Sequence, residues 1–308
     1  MTVVGRFAPT PSGRMHMGNL FSALLAWLSV RSQKGELVLR MEDLDTQRTS
    51  PAYADRLRRD LEWLGLYWDR ETPPQSRRTE AYLAAFRKLE ALGLLYPCYC
   101  TRSRLHSVNA PHLSDGVYVY DGACRKLTAE QRAAMGRSPA WRVTVPEREI
   151  ALIDGLQGLY REYLPRDCGD FVVRRADGVF VYQLAVVVDD GDAGVTEVVR
   201  GRDLLSSAPR QMYLQDLLGY PHPRYYHVPM LLSGDGRRLS KRDGDMDLGA
   251  LSRRMTPEAL LGYLSHWAGL RQDETPVDLD TLTGEFSWNK VRSQDVFASI
   301  APCVIPER

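Results

Sequence analysis

The first 45 residues constrain the fold more tightly than any other part of the chain. Val3–Phe7 is a short β-prone run, and Ala8–Gly18 then holds prolines, serine and glycines that no regular element tolerates. Asn19–Arg31 reads as a helix whose Leu20, Phe21, Leu24, Leu25, Trp27 and Leu28 place apolar groups on more than one side, as a buried helix requires. Glu36–Met41 alternates as a second strand and ends in the acidic run Glu42, Asp43, Asp45. Strand, helix and strand in this order predict a parallel βαβ unit. Ligands of open parallel sheets sit beyond the carboxyl ends of the strands, which is where the Pro/Gly turn and Glu42 fall.

The rest of the chain continues the α/β pattern. Ser50 with Pro51 opens a helix carrying Leu57, Leu61 and Leu64, and Thr79 is expected to cap another with Tyr82, Leu83, Phe86 and Leu89. Residues 96–168 change character, with cysteines, tyrosines and Gly/Ser turns, as an inserted subdomain would. The strand–helix rhythm returns from Asp170, with Val179–Asp189 and Val195–Arg200 reading as strands and Arg210–Leu218 as a helix. Thr256–Pro257 opens a helical tail. The expected division is 1–95 and 169–245 as two halves of a catalytic domain, 96–168 as the insertion and 246–308 as a helical tail.

Composition excludes several classes. With 44% apolar and 26% charged residues, the 308-residue chain is not a disordered one. Forty Lys and Arg against 39 acids mean that any nucleic-acid surface is a local patch. No run of about 18 apolar residues suggests a membrane span. Five cysteines, an odd number without a leader-like N-terminus, point to a reducing compartment, so a cytoplasmic monomer is expected.

Two motifs carry chemistry. His16-Met17-Gly18-Asn19 sits where the first turn becomes the first helix, and a helix N-terminus offers free N–H groups and a positive dipole end to phosphate. Alone, it is what an ordinary tight turn could show. Far along the chain, Arg238-Leu239-Ser240-Lys241-Arg242 lies among Gly234, Gly236 and Gly244. Cations on such a loop can close over a triphosphate and stabilise charge developing at its α-phosphate.

With both motifs in this order, the sequence resembles the class I aminoacyl-tRNA synthetases: His16–Asn19 is similar to their HIGH motif and Arg238–Arg242 to their KMSKS motif. Gly5–Gly13, Arg40–Asp45, Val199–Leu205 and Pro209–Gln211 are similar to the glutamyl subgroup. The resemblance implies a Rossmann-type parallel sheet, ATP as substrate with Mg2+, and L-glutamate as amino acid. His16 and Lys241 are then the candidate catalytic residues, with Gly18, Asn19, Arg238 and Ser240 also on ATP. Glutamate falls to Arg6, Ala8, Thr10, Glu42, Tyr182 and Arg200. Two cations suit its carboxylates and Glu42 its ammonium; buried salt bridges to Asp43 or Asp189 are the bland alternative for the two arginines.

Within the subgroup, the chain resembles the stand-alone glutamyl-queuosine tRNA(Asp) synthetases. Roughly 60 residues follow the lysine loop, fewer than a separate anticodon-binding domain takes. Tyr182–Asp190, which carries Gln183 where full-length relatives usually have asparagine, and Val119–Arg125 match that paralogue. This implies adenylation of glutamate without tRNA, then transfer to the queuosine of tRNA(Asp). It also implies a structural zinc on Cys98, Cys100, Tyr120 and Cys124. By spacing alone these would be reduced free cysteines, and His106 or His112 stand near enough to replace Tyr120. Cys168 and Cys303 read as packing residues.

Overall fold

A computed structural model describes residues 2–101, 104, 119–237, 239 and 247–300. Val4–Phe7 forms β1, and the Pro/Gly turn leads from it into helix α1, Met17–Ser32. A Cβ at Gly5 would lie 2.3 Å from Val30 Cγ2, so glycine is what lets α1 rest directly on β1. The chain returns through β2, Glu36–Leu39, in parallel register with β1. The βαβ unit expected from the opening residues is present.

Helices α2 (Pro51–Trp63) and α3 (Thr79–Ala91) flank the short strand β3, Arg70–Glu71. Ser50 accepts the Tyr53 N–H and caps α2 as its sequence suggests. Thr79 does not cap α3. A short 3-10 turn, Gln75–Arg77, runs straight into the helix, so Arg78 holds the cap position and Thr79 is already helical.

Next come β4 (Leu95–Cys98), the five-residue α4 (Ala129–Ala133) and β5 (Ala140–Val143). The hairpin β6 (Glu149–Asp154) and β7 (Gly158–Tyr163) follows, then α5 (Leu164–Asp167) and β8 (Phe171–Arg174). Strands β4, β5 and β8 make a small antiparallel sheet beside the hairpin.

One expectation fails after β8. Tyr182–Asp190 is not a strand but lies within helix α6, Tyr182–Asp192, entered from an extended Val181. The run Val186–Val188 is β-prone on a half-buried pleated surface, whereas here every residue from Leu184 to Asp190 is buried. Packing against α3 and against α7, Ser207–Leu218, overrides the local preference.

Strands β9 (Glu197–Gly201) and β10 (Arg224–Val228) complete the main sheet, in the order β10-β9-β1-β2-β3 with all neighbours parallel. A short pair, β11 (Leu231–Leu232) and β12 (Val296–Phe297), joins the segment after β10 to the C-terminal region. That region is helical: α8 (Leu248–Leu251), α9 (Pro257–Ala268, capped by Thr256) and α10 (Leu279–Glu285).

Two cores sandwich the sheet. One joins α1, α2, α9 and α10, and the other joins α3, α6, α7 and β8. Consecutive residues of β9 serve opposite sides, Val199 the first core and Val198 the second, as strand alternation dictates. Among the described residues no helix is long and apolar enough to cross a membrane.

Leu28 of α1 is fully buried in the first core. Leu28→Ala should lower stability by about 2–5 kcal/mol, through lost burial plus the cavity left behind. Arg48→Ala, which removes an exposed pair with Asp45, should cost under about 1 kcal/mol. Denaturant unfolding of the two variants side by side checks both.

Candidate active site and thiol cluster

The sheet order turns back at β1: the chain runs outward from it to β2 on one side and later to β9 on the other. Loops leaving two adjacent strands in opposite directions open a crevice. A cavity of about 550 Å3 lies there, lined by the segment after β1, the start of α1 and the ends of β9 and β10. Arg6, Ala8, Thr10, His16, Gly18, Asn19, Glu42, Tyr182 and Arg200 all line it. Residues up to 194 positions apart in sequence thus share one space. Leu239 lines it too, and its N–H donates to the Leu231 carbonyl. Arg238, Ser240, Lys241 and Arg242 lie outside the described residues.

The turn into α1 is built for close approach. His16 is the N-cap, its Nδ1 accepting the Gly18 N–H at 3.2 Å while Asn19 Oδ1 accepts the His16 N–H at 3.4 Å. A Cβ at Gly18 would stand 3.1 Å from the imidazole, so the glycine lets the ring fold over the helix end. No acidic side chain occupies the first turn of α1, which leaves the positive end of the helix available to an anion.

Buried charge backs the lining residues Arg6 and Glu42. Arg40 is fully buried and bonds Asp190 at 2.5 Å and Glu42 at 3.2 Å, with Asp189 at 3.7 Å. Asp190 also stands 3.7 Å from Arg6, whose Nη1 donates to the Val199 carbonyl. Burial raises the Glu42 carboxyl above its ordinary range, against the pull of Arg40 and Arg6. Burial likewise lowers Arg6 and raises Tyr182.

The buried salt bridge expected as the alternative for the arginines is present for Arg6, but with Asp190 and not with Asp43 or Asp189. Asp43 accepts from Ser76, and Asp189 is taken by Gln75, Arg78 and Tyr82.

Arg200 is held differently. Its Nε donates to His227 Nε2 at 3.0 Å, and its Nη1 to Gln211 Oε1 at 2.8 Å and Tyr182 Oη at 3.4 Å. Its Nη2 reaches the Leu204 carbonyl at 3.3 Å. Gln211 in turn donates to Gln183, and Gln183 to Ser207. Among the described residues each of these acceptors is neutral, so they orient the guanidinium without neutralising it. Sequence reading found Arg200 but missed His227 and its partner Asp154, which lies 73 residues away. A histidine and an aspartate so far apart leave no local pattern to find.

Cys98, Cys100 and Cys124 converge, their Sγ atoms all within 4.8 Å of one another. Tyr120 Oη is 3.5 Å from Cys98 Sγ and 3.8 Å from Cys100 Sγ. Burial pushes the Cys98 thiol up, but Tyr120 and the charge of Arg142 outweigh it and hold the thiol below its usual range. Cys100 is pushed up to about 11 by burial and by Cys98. Three soft donors and a phenol oxygen around one point form a donor set suited to a thiophilic metal. Cys168 is apart from them and buried, as a packing residue should be. His106, His112 and Cys303 lie outside the described residues.

The family model for class I tRNA synthetases (E and Q), catalytic domain, matches residues 2–269. The glutamyl-Q tRNA(Asp) synthetase of Symbiobacterium thermophilum is 46% identical over 307 residues, covering 95% of this chain and 94% of its own. That of Nitratidesulfovibrio vulgaris is 46% identical over 286 residues, 88% of either chain. Among solved structures, a glutamate tRNA ligase from Elizabethkingia meningosepticum in complex with its amino acid superposes with a TM-score of 0.83 at 26% identity. It covers 97% of this chain and 67% of that one. With its parallel sheet, its crevice at the strand reversal and its HIGH-type helix entry, the chain belongs to the class I tRNA synthetases of the E and Q type, in the glutamyl-Q tRNA(Asp) synthetase family.

Proposed function

We propose that this ligase activates L-glutamate with MgATP, with no tRNA required, and transfers the glutamyl group to the queuosine base in the anticodon of tRNA(Asp). The observation that carries this reading is a single crevice combining a glycine-bearing helix entry with two buried arginines and the half-buried carboxylate of Glu42. A zwitterion with an extra carboxylate and a polyphosphate are the ligands such a wall and such a helix end would take together.

In the first step a glutamate carboxylate oxygen attacks the α-phosphorus of ATP, an O–P bond forms, and pyrophosphate leaves with the broken bond. The nucleophile is already ionised at neutral pH, so no general base is needed and the task is positioning and charge stabilisation. Arg6 and Arg200 grip carboxylates, Glu42 takes the ammonium and Tyr182 offers its hydroxyl, while Ala8 and Thr10 form the adjoining wall. His16, Gly18 and Asn19 serve the phosphates, with Arg238, Ser240 and Lys241 assigned to the same ligand by their motif. In the second step a hydroxyl of the queuosine diol attacks the acyl carbon, AMP leaves, and the hydroxyl proton is released. The names of the two sequence relatives, both glutamyl-Q tRNA(Asp) synthetases, support this acceptor. The protein is read as acting as a monomer.

Cys98, Cys100, Cys124 and Tyr120 would hold one zinc, which would supply a structural cross-link between the two ends of a long excursion of the chain. The convergence of the three thiols supports this assignment.

Labelled glutamate should reach tRNA(Asp) only when the tRNA carries queuosine, and nuclease mapping should place the label in the anticodon fragment. Label at the 3′ adenosine, indifferent to queuosine, would instead favour a compact charging enzyme. His16→Asn keeps a good N-cap residue but shortens the reach to phosphate. It should cut glutamate-dependent ATP–pyrophosphate exchange about ten- to a thousandfold while the melting temperature stays put. Metal analysis should find about one zinc per chain, and chelation should lower the melting temperature. Metal-free protein of undiminished stability would remove the zinc assignment.

A further inference from the structure

Arg200 is one of the arginines that line the crevice, and the group that orients it lies outside every motif. A guanidinium Nε–H can only donate, so His227 Nε2, 3.0 Å away, must accept with its lone pair. The imidazole proton is therefore on Nδ1, which faces Asp154 Oδ2 at 2.6 Å. Asp154 is itself fixed, accepting the N–H groups of Leu156, Gln157 and His227. All three members are buried, Asp154 at the end of β6, His227 on β10 and Arg200 on the neighbouring strand β9. The Tyr225 ring packs beneath both His227 and the Arg200 guanidinium.

We propose that His227, locked by Asp154 in its Nδ1–H tautomer, is a positioning residue that aims the Arg200 guanidinium at the glutamate carboxylate while leaving its charge unspent. This rests on the reading of Arg200 as a glutamate ligand. A carboxylate in place of the imidazole would orient Arg200 equally well but would neutralise it. An imidazolium would set N–H against N–H. Only a neutral acceptor does both tasks, and the carboxylate that stabilises the tautomer is kept one residue further away. Burial, aided by the charge of Arg200, pushes the imidazole down to about 4 against the pull of Asp154, in keeping with the neutral form. The same chain of contacts ties the β6–β7 hairpin to the amino-acid pocket, so the hairpin is a fixed part of the pocket's support.

Two substitutions separate the ends of the ring. His227→Asn retains a group near Nδ1 for Asp154 but cannot reach Arg200, whereas His227→Gln reaches the Nε2 position with an acceptor oxygen. Both are uncharged amides at one buried site, so a purely structural role would make them equivalent. Glutamate-dependent ATP–pyrophosphate exchange is measured for the purified wild type and both variants, with KM determined separately for glutamate and ATP. Loss of a hydrogen bond to a charged group should raise the glutamate KM of His227→Asn about ten- to a hundredfold. The ATP KM should stay within about twofold, and His227→Gln should recover most of the loss. Equal glutamate KM values in the two variants, or an ATP KM that rises in parallel, would overturn the proposal. A wild type that shows no glutamate-dependent exchange would instead overturn the parent reading of the pocket.

Discussion

Arg40 is the charge on which the rest of the site depends. It is wholly buried between Glu42, Asp189 and Asp190, and through Asp190 it reaches Arg6. An unpaired charge in such a place costs roughly 3–5 kcal/mol, so the cluster forms complete or not at all. Its acids come from the end of β2 and from α6, and closing it brings these two elements together under the crevice. Asp189 extends the cluster to Gln75, Arg78 and Tyr82 around the start of α3.

The two pocket arginines show the same physics used in opposite ways. Arg6 shares the carboxylate of Asp190 with Arg40, so its charge is partly answered inside the protein. Arg200 is surrounded by the neutral acceptors His227, Gln211, Tyr182 and the Leu204 carbonyl. A buried cation that lacks a close anion gains most from a ligand that brings one. The helix entry at His16 adds the positive end of α1 to the same cavity.

Local rules made much of this legible. The opening βαβ unit, the caps at Ser50 and Thr256, and the crevice-lining run from Arg6 to Asn19 follow from turn residues, periodicity and spacing. Failures came where packing overrode such rules. Val186–Val188 looked like strand because branched side chains favour pleated surfaces, but total burial between α3 and α7 made them helix. Thr79 looked like a cap because its hydroxyl is apt, but a preceding 3-10 turn moved the helix start past it.

The sequence by itself determined the parallel α/β class, the glycine-bearing entry into α1 and most of the residue types that line the crevice. These are properties of short segments, where a glycine, a proline or a periodic apolar face acts within a few residues. Tertiary structure alone decided which partners those residues take. Asp154, His227 and Arg200 meet across 73 and 27 residues, and Arg40 meets Asp190 across 150. Hydrogen bonds and ion pairs act over a few ångströms of space, and only the order of strands in the sheet fixes which distant residues come that close.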